Sequence, residues 1–293
     1  MQWRCPVCAG PLALAAQGAS CKLGHHFDRA RQGYINLLPA QHKASRDPGD
    51  DAGMMAARHE FLQAGYYQPL AESILALLAA RLLDGGNNAD NNADNKADHN
   101  ASSTPAQVLD CGCGEGYYTG IFAAGLDSAG LAAQVAGIDI SRAALRMAAR
   151  QYKQVAFAVA SNFHLPVADD QVDIMTRIFA PGDDLETLRV LAPGGWLIVA
   201  YPGPRHLFEL KAGIYSQPTE HLEPALPAGF ACMQSHRVQF PLELQSRAAI
   251  DSLLKMTPFA WAARQQSATA FDELDRLTTS ADFLVRCYQA SPA

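Results

Sequence analysis

The sequence predicts an α/β protein with a doubly wound, mostly parallel sheet, preceded by a small domain held by a metal ion. Three observations predict this arrangement. A glycine-rich turn follows a short apolar strand that ends at Asp110, strands alternate with helical segments through residues 134–200, and a Cys-x-x-Cys pair lies near the N-terminus. Alternation of this kind places a ligand at the carboxyl ends of the parallel strands.

Composition limits the class of protein. The 293 residues are 49% hydrophobic, which is enough to bury a core of domain size. No apolar run approaches the roughly 20 residues that a membrane-spanning helix needs, and the first residues lack the apolar core of a signal peptide. We therefore expect a cytoplasmic protein with no membrane partner. The odd count of seven cysteines favours metal ligands or buried thiols over a disulfide framework.

The charge is unevenly distributed along the chain. The whole chain carries −6, but residues 1–46 hold six basic side chains against one acidic side chain, which is +5, so the remainder carries −11. A local basic segment favours contact with an anionic partner such as a nucleic-acid backbone, although short segments also fluctuate in charge.

The N-terminal segment contains four potential metal ligands. Cys5 and Cys8 form a Cys-x-x-Cys knuckle, and Cys21 with His25 supplies a second pair. Three thiolates and one neutral imidazole suit a closed, tetrahedral, structural zinc site. On spacing alone His26 is an alternative to His25. A redox role for the first pair is disfavoured because no βαβ pattern flanks it.

The segment after these ligands is predicted to form a short strand that ends at Pro39. About 40 residues cannot build a sufficient core alone, so we expect the metal to fold this part of the chain. The polar loop that follows offers His42, Lys43 and Arg46 as phosphate contacts, with a solvated linker as the alternative.

Four regions are predicted from these patterns. Helical periodicity with a break at Gly65–Pro69 indicates bridging helices, and Tyr66 or Tyr67 at the break is a candidate cofactor contact or a packing residue. Near-repeats rich in Asn, Ala and Asp indicate a disordered insert without a function. The regions are a zinc-binding domain at 1–45 that contacts an anionic partner such as a nucleic acid, bridging helices at 46–83, the insert at 84–105 and the main domain at 106–293.

The glycine-rich turn indicates a nucleotide-like ligand. Gly112, Gly114 and Gly116 alternate after Asp110, and glycine lets the backbone turn sharply and pass close to a ligand beside the next helix N-terminus. The dinucleotide fingerprint would require a third glycine at Tyr117, so that class of cofactor is not predicted.

Later strands supply further candidates for the site. Asp139 ends the second strand, where a carboxylate can accept both ribose hydroxyl protons, and Ser161 follows the third strand, where the loop borders an adenine in this fold. Arg177 and Phe179 at the end of the fourth strand are candidates for holding a substrate, although core packing better explains Phe179. A Pro-Gly-Gly turn at 193–195 precedes the fifth strand.

The glycine motif, Asp139 and the Pro-Gly-Gly turn together resemble class I methyltransferases that depend on S-adenosylmethionine (SAM). Over nearly all of residues 1–265, the chain resembles the bacterial 23S rRNA (guanine-N1)-methyltransferase family. Besides Cys-Pro-x-Cys, the shared stretches are Gly-Tyr-Ile-Asn-Leu-Leu-Pro (33–39), Ser-Arg-Asp-Pro-Gly-Asp (45–50), Asp-x-Gly-Cys-Gly-Glu-Gly-Tyr-Tyr-Thr (110–119), Pro-Gly-Pro-Arg-His-Leu (202–207) and Met-Thr-Pro-Phe-Ala-Trp (256–261). The insert departs from this pattern.

The resemblance implies a Rossmann-like methyltransferase sheet, SAM as methyl donor, N1 of one guanine in a 23S rRNA hairpin as acceptor, and a homodimer. It implies one structural zinc on Cys5, Cys8, Cys21 and His25, and points to Tyr67, Gly114, Glu115 and His206 as SAM neighbours. By local reasoning alone, His206 would be a capping or packing residue. The general base is not identified.

Guanine N1 lies on the Watson–Crick edge, so the base must be unpaired or flipped out. No covalent cysteine is required, and Cys111 and Cys113 are interpreted as small residues inside the turn. Two other functions share features of the sequence. A methyltransferase of small metabolites such as quinone precursors is disfavoured by the zinc motif. A non-catalytic zinc-ribbon RNA binder is disfavoured by the intact glycine turn and Asp139.

The C-terminal region is predicted to extend the sheet and close the substrate side. Val238–Leu244 has the pattern of a strand and Ala248–Lys255 that of a helix, and Trp261 is either a base platform or a core residue.

Overall fold

The computed structural model describes residues 1–39, 52–89, 104–257, 259, 271 and 274–291. His42, Lys43, Arg46 and Trp261 lie outside this range, as does most of the predicted insert.

An eight-stranded sheet organises the described residues, in the order β10-β11-β9-β8-β5-β6-β7-β4. The strands from β4 to β9 run parallel, whereas β11 pairs antiparallel with both β9 and β10, so the mostly parallel sheet is as predicted. The strands are β4 (Ile35–Asn36), β5 (Ala106–Cys111), β6 (Ala133–Asp139), β7 (Ala156–Val159), β8 (Val172–Ile178), β9 (Leu191–Pro202), β10 (Phe230–Leu244) and β11 (Leu277–Ala290).

Seven helices cover this sheet in the described part of the chain. They are α1 (Ala52–Gln63), α2 (Gln68–Ala89), α3 (Tyr117–Ser128), α4 (Arg142–Gln151), α5 (Asp184–Val190), α6 (Phe208–Ile214) and α7 (Arg247–Met256). Ser141 caps α4 as expected, because its hydroxyl accepts the backbone N–H of Ala144 at 3.3 Å. None of the described helices is long and apolar enough to cross a lipid bilayer.

The strand order creates the crevice in which a ligand can bind. β5 pairs with β6 on one side and with β8 on the other, so the chain crosses over in opposite directions from this strand. At such a switch point the loops after the strands separate and leave a gap at the carboxyl edge. Alternate side chains of β5 face opposite layers: Val108 and Leu109 are fully buried in two different apolar clusters.

The N-terminal segment is attached to the main sheet. Its own sheet consists of β1 (Ala13–Ala15), β2 (Gly18–Ser20) and β3 (His26–Asp28), but β4 pairs with β7, and Trp3 forms a bridge to Val167. Trp3, Leu12 and Ile35 belong to the same buried cluster as Leu109. Apolar packing against the main sheet therefore helps to hold this segment in place, in addition to the expected metal.

Two expectations need correction. The second bridging helix runs to Ala89, so the start of the insert predicted to be disordered is helical. The strand predicted at Val238–Leu244 is longer than expected and forms β10, which begins at Phe230. β11, which no sequence pattern indicated, lies between β10 and β9 in the sheet.

Candidate functional site

A cavity of about 1070 Å³ opens at the carboxyl ends of β5, β6, β8 and β9. Small-molecule sites are typically about 300–1,000 Å³, so this volume admits a nucleotide-sized cofactor with room for a further group. Of the predicted cofactor contacts, seven line it: Tyr67, Gly112, Gly114, Glu115, Asp139, Ser161 and His206.

The glycine turn forms one wall of the cavity. Gly112 and Gly114 both have positive φ, +76° and +56°, which a side chain rarely adopts. A Cβ on Gly112 would lie 2.4 Å from the Cβ of Ala180, which follows β8. The absence of a side chain therefore lets β5 and β8 approach each other at the mouth of the cavity.

Asp110 and Gly116 support this turn from outside the cavity lining. Both carboxylate oxygens of Asp110 accept hydroxyl hydrogen bonds, from Thr119 at 2.6 Å and from Thr176 at 2.7 Å. Burial raises the pKa of Asp110 to about 6, and the two hydroxyls partly offset that effect. Gly116 has φ +83° and packs closely on Ala148. Their placement makes them residues that shape the turn.

Asp139 joins the turn to the next helix. Its carboxylate accepts the backbone N–H of Gly114 at 2.9 Å and that of Ser141 at 2.7 Å. Each carboxylate oxygen has a second lone pair, so Asp139 can hold the turn and still accept hydrogen bonds from a ligand.

Four buried polar atoms in the lining have no hydrogen-bond partner among the described residues: Glu115 Oε1, Tyr118 Oη, Asn162 Oδ1 and His221 Nε2. Glu115 Oε1 and Asn162 Oδ1 are carbonyl-type oxygens, which accept hydrogen bonds. Burial raises the pKa of Glu115 to about 7. Buried polar atoms are normally satisfied, so acceptors of this kind facing a cavity indicate a ligand with hydrogen-bond donors. An adenine amino group and an amino-acid ammonium are such donors, and SAM carries both.

Tyr67 and His206, which are 139 residues apart, meet in the cavity wall with Tyr67 Oη 3.3 Å from His206 Nε2. The backbone N–H of Asp282 donates to His206 Nδ1, so in the neutral ring the proton is on Nε2, which donates to Tyr67. Burial is the main cause that lowers the pKa of His206 to about 3, and burial also raises the pKa of Tyr67 well above its usual value. Both groups therefore stay neutral and act as fixed hydrogen-bonding groups.

The expectation of core packing is wrong for Phe179. Its side chain is 44% exposed, lines the cavity and has φ +54°. A bulky residue in that conformation is strained by on the order of 1–3 kcal/mol, and such strain is concentrated at functional sites. Arg177, the other substrate candidate, is buried outside the lining in an ion pair with Asp184 at 3.2 Å.

Lys211, Tyr215 and His221 also line the cavity, and the sequence analysis missed them. They lie on α6 and in the segment after it, which carries no spacing motif. The only available signal was their position shortly after the Pro-Gly-Pro-Arg-His-Leu stretch.

The four predicted metal ligands come together in the N-terminal segment. The ligand atoms of Cys5, Cys8, Cys21 and His25 all lie within 4.8 Å of one another. Nδ1 of His25 is 3.5 Å from Cys5 Sγ and 3.3 Å from Cys21 Sγ. Zinc–ligand bonds of about 2.0–2.3 Å in a tetrahedron separate the ligand atoms by about 3.3–3.8 Å, so the set fits zinc. His26 lies outside this cluster and contacts Asp28.

Both the N-terminal segment and the main domain match families of known proteins. Residues 3–46 match the zinc-ribbon family described as "RlmA, N-terminal", and residues 102–254 match the family described as "Methyltransferase domain". A putative 23S rRNA (guanine-N(1)-)-methyltransferase of Micromonospora griseorubida is 35% identical, covering 91% of this chain and 89% of the relative. The 23S rRNA (guanine(748)-N(1))-methyltransferase of Streptomyces fradiae is 32% identical over 88% and 85%. A solved SAM-dependent methyltransferase of Thiobacillus denitrificans is 18% identical, with TM-score 0.39, over 74% and 90%.

Proposed function

The chain belongs to the 23S rRNA (guanine-N1)-methyltransferase family, and on this premise we propose that it transfers the methyl group of SAM to N1 of a guanine in 23S rRNA. One observation carries the proposal beyond family membership. A single cavity combines the glycine turn, Asp139 and two unpartnered acceptors with a second wall, after β8 and β9, that presents the exposed ring of Phe179. A donor and a flipped base can therefore meet in one enclosed space.

Bound SAM would supply a methyl group activated by its sulfonium. In our proposal Asp139 accepts the ribose hydroxyls, Asn162 Oδ1 accepts from the adenine amino group, and Glu115 receives the ammonium of the amino-acid end. Tyr67 and His206, both neutral, fix the wall between the donor and the acceptor base. Of the remaining predicted contacts, Gly112 and Gly114 let the backbone of the turn approach the cofactor, and Ser161 lines the cavity in the loop after β7, on the adenine side.

The assay that tests the function uses 23S rRNA from a strain without this activity. After incubation with the protein and SAM, reverse transcriptase is expected to stop at one guanine, because N1-methylation blocks pairing. Methyl transfer to a small-molecule extract without any stop would instead support a metabolite methyltransferase. We also propose a homodimer, which light scattering on the purified protein tests, and a cytoplasmic location, which fractionation of the cells that contain the protein tests.

A pH dependence of cofactor affinity tests the role of Glu115. Its pKa of about 7 is raised mainly by burial and by the charges of Asp139 and Asp110, and lowered by Arg58. Below that pH the carboxyl is protonated and loses its attraction for a ligand ammonium, so affinity should rise with pH by up to about tenfold per unit below the pKa. Calorimetry with S-adenosylhomocysteine measures this slope.

Glu115→Gln should bind more weakly and lose most of that slope. Glu243→Gln, on the exposed face of β10 and outside the cavity lining, is the matched control and should keep it. An unchanged slope in Glu115→Gln would assign the titration to another group.

A further inference from the structure

The lysine in the cavity wall is unusual because it is buried without a carboxylate partner. Lys211 is 7% exposed, and its Nζ donates to the backbone carbonyl of Thr219 at 3.1 Å. No described carboxylate lies within 4.0 Å of this ammonium; Glu209 on the same helix pairs with Arg205. Burial lowers the pKa of Lys211 from its usual value. A buried charge without an anionic partner is costly, so the site favours a ligand that carries negative charge.

Lys211 carries the positive charge at its end of the cavity, because the groups that face it are neutral or already paired. His206, after β9, and His221, after α6, both have lowered pKa values because they are buried, with Lys211 adding to the effect, so both are neutral near pH 7. Asp282 on β11 lies behind His206 and is paired with Arg237 at 2.7 Å. The other cationic side chain in the described lining, Arg58, lies beside Gly114 in the glycine turn.

The wall around Lys211 is built at a cost in backbone strain. Leu207, the residue before α6, has φ +54°, the same value as Phe179 after β8. The two strained residues orient α6 and the exposed phenyl ring around His206, whose ring is 6.4 Å from that of Phe179 and tilted by 19° to it. A flat apolar face and a buried ammonium in the lining of one cavity suit a planar base that carries an anionic oxygen.

We propose that Lys211 binds O6 of the target guanine and holds the base as its N1-deprotonated anion, with Phe179 against the ring face. This inference rests on the proposed function. The N1 proton is lost to solvent before transfer, and the charge is shared between N1 and O6. The N1 lone pair then attacks the methyl carbon, the C–S bond breaks with its electrons going to sulfur, and O6 returns to a neutral carbonyl. Lys211 is not altered in the reaction and acts by stabilising the nucleophile.

The test is the rate of single-turnover methylation of 23S rRNA at saturating RNA, measured from about pH 6 to about pH 9. This range covers the loss of the guanine N1 proton. Lys211→Met keeps the unbranched apolar stem of the side chain and removes its terminal ammonium. Near neutral pH its rate should be about 10²–10³-fold lower, because without the ammonium the pKa of N1 rises and the reactive anion becomes about tenfold less populated for each unit of that rise. The rate should rise about tenfold per pH unit where the wild type has already levelled off. SAM affinity should be unchanged, and Lys211→Arg should recover part of the rate.

Lys255→Met, at an exposed position on α7, is the matched control and should behave as the wild type. A normal rate in Lys211→Met would overturn the inference and leave the proposed function intact, and loss of SAM affinity would overturn it by placing Lys211 in the cofactor half. If Lys211→Met does not fold, the wild-type profile decides: its midpoint must lie below the pKa of N1 in free guanosine. Only the absence of wild-type rRNA methylation would refute the proposed function itself.

Discussion

Replacing Gly112 with alanine is expected to weaken SAM binding at least about tenfold. Two costs add at this position. An alanine at φ +76° loses roughly 1–2 kcal/mol for the left-handed backbone. Its Cβ would also lie 2.4 Å from the Cβ of Ala180, so the segment after β8, which lines the cavity, must move. A displaced wall reduces the contacts with the cofactor, and calorimetry with SAM measures the loss.

Gly194→Ala separates these two costs. Gly194 has φ +77°, but a Cβ there would meet no atom within 4 Å, so this variant has the backbone cost without the clash. We expect Gly194→Ala to lose only the backbone term in thermal unfolding and to bind SAM normally. If both variants lose SAM affinity equally, the approach of Ala180 is not what determines the shape of the cavity.

The sequence was sufficient to predict the parts of the site that depend on local backbone. The glycines, the acid that ends β6 and the cap at Ser141 each follow from neighbours in the chain. Spacing indicates the three cysteine ligands of the zinc and leaves His25 and His26 as alternatives for the fourth, between which the family resemblance favours His25. The same local signals predicted most strands of the parallel sheet, because these strands are short apolar runs bounded by turns.

Residue roles that depend on distant contacts were not predictable in this way. Asp110 was expected at the cofactor, yet it lies outside the cavity lining and accepts hydrogen bonds from Thr119 on α3 and Thr176 on β8. Phe179 is a large apolar residue of the kind that usually packs in a core, and its left-handed backbone turns the ring toward the cavity. Lys211 was missed because its burial depends on how α6 packs after folding.

The attachment of the N-terminal segment was also beyond the sequence. A two-residue strand such as β4 has almost no pattern to fix its partner, and its pairing with β7 depends on the shared cluster around Trp3 and Ile35. This attachment limits the expected effect of losing the metal, because the apolar contacts between the segment and the main sheet do not depend on the zinc.

Cys8→Ser is therefore expected to release the zinc and impair rRNA methylation without unfolding the main domain. Without the ion, the remaining thiols of Cys5 and Cys21 and the imidazole of His25 have no metal to hold them together. Structural zinc contributes on the order of 10–16 kcal/mol to the folding of small zinc-finger peptides. We expect the zinc content to fall from one per chain to below about a tenth, and RNA affinity to fall at least about tenfold, since several phosphate contacts would be lost together.

SAM affinity should change little in the same variant, because no residue from 1–39 lines the cavity described above. Cys232→Ser is the matched control: this thiol is exposed and lies 3.5 Å from the backbone oxygen of Gln234, away from the metal ligands. Metal analysis, RNA binding and calorimetry on the two variants separate the roles of the two parts. If Cys8→Ser loses SAM binding but keeps RNA affinity, the zinc-holding segment supports the cofactor cavity and does not select the RNA.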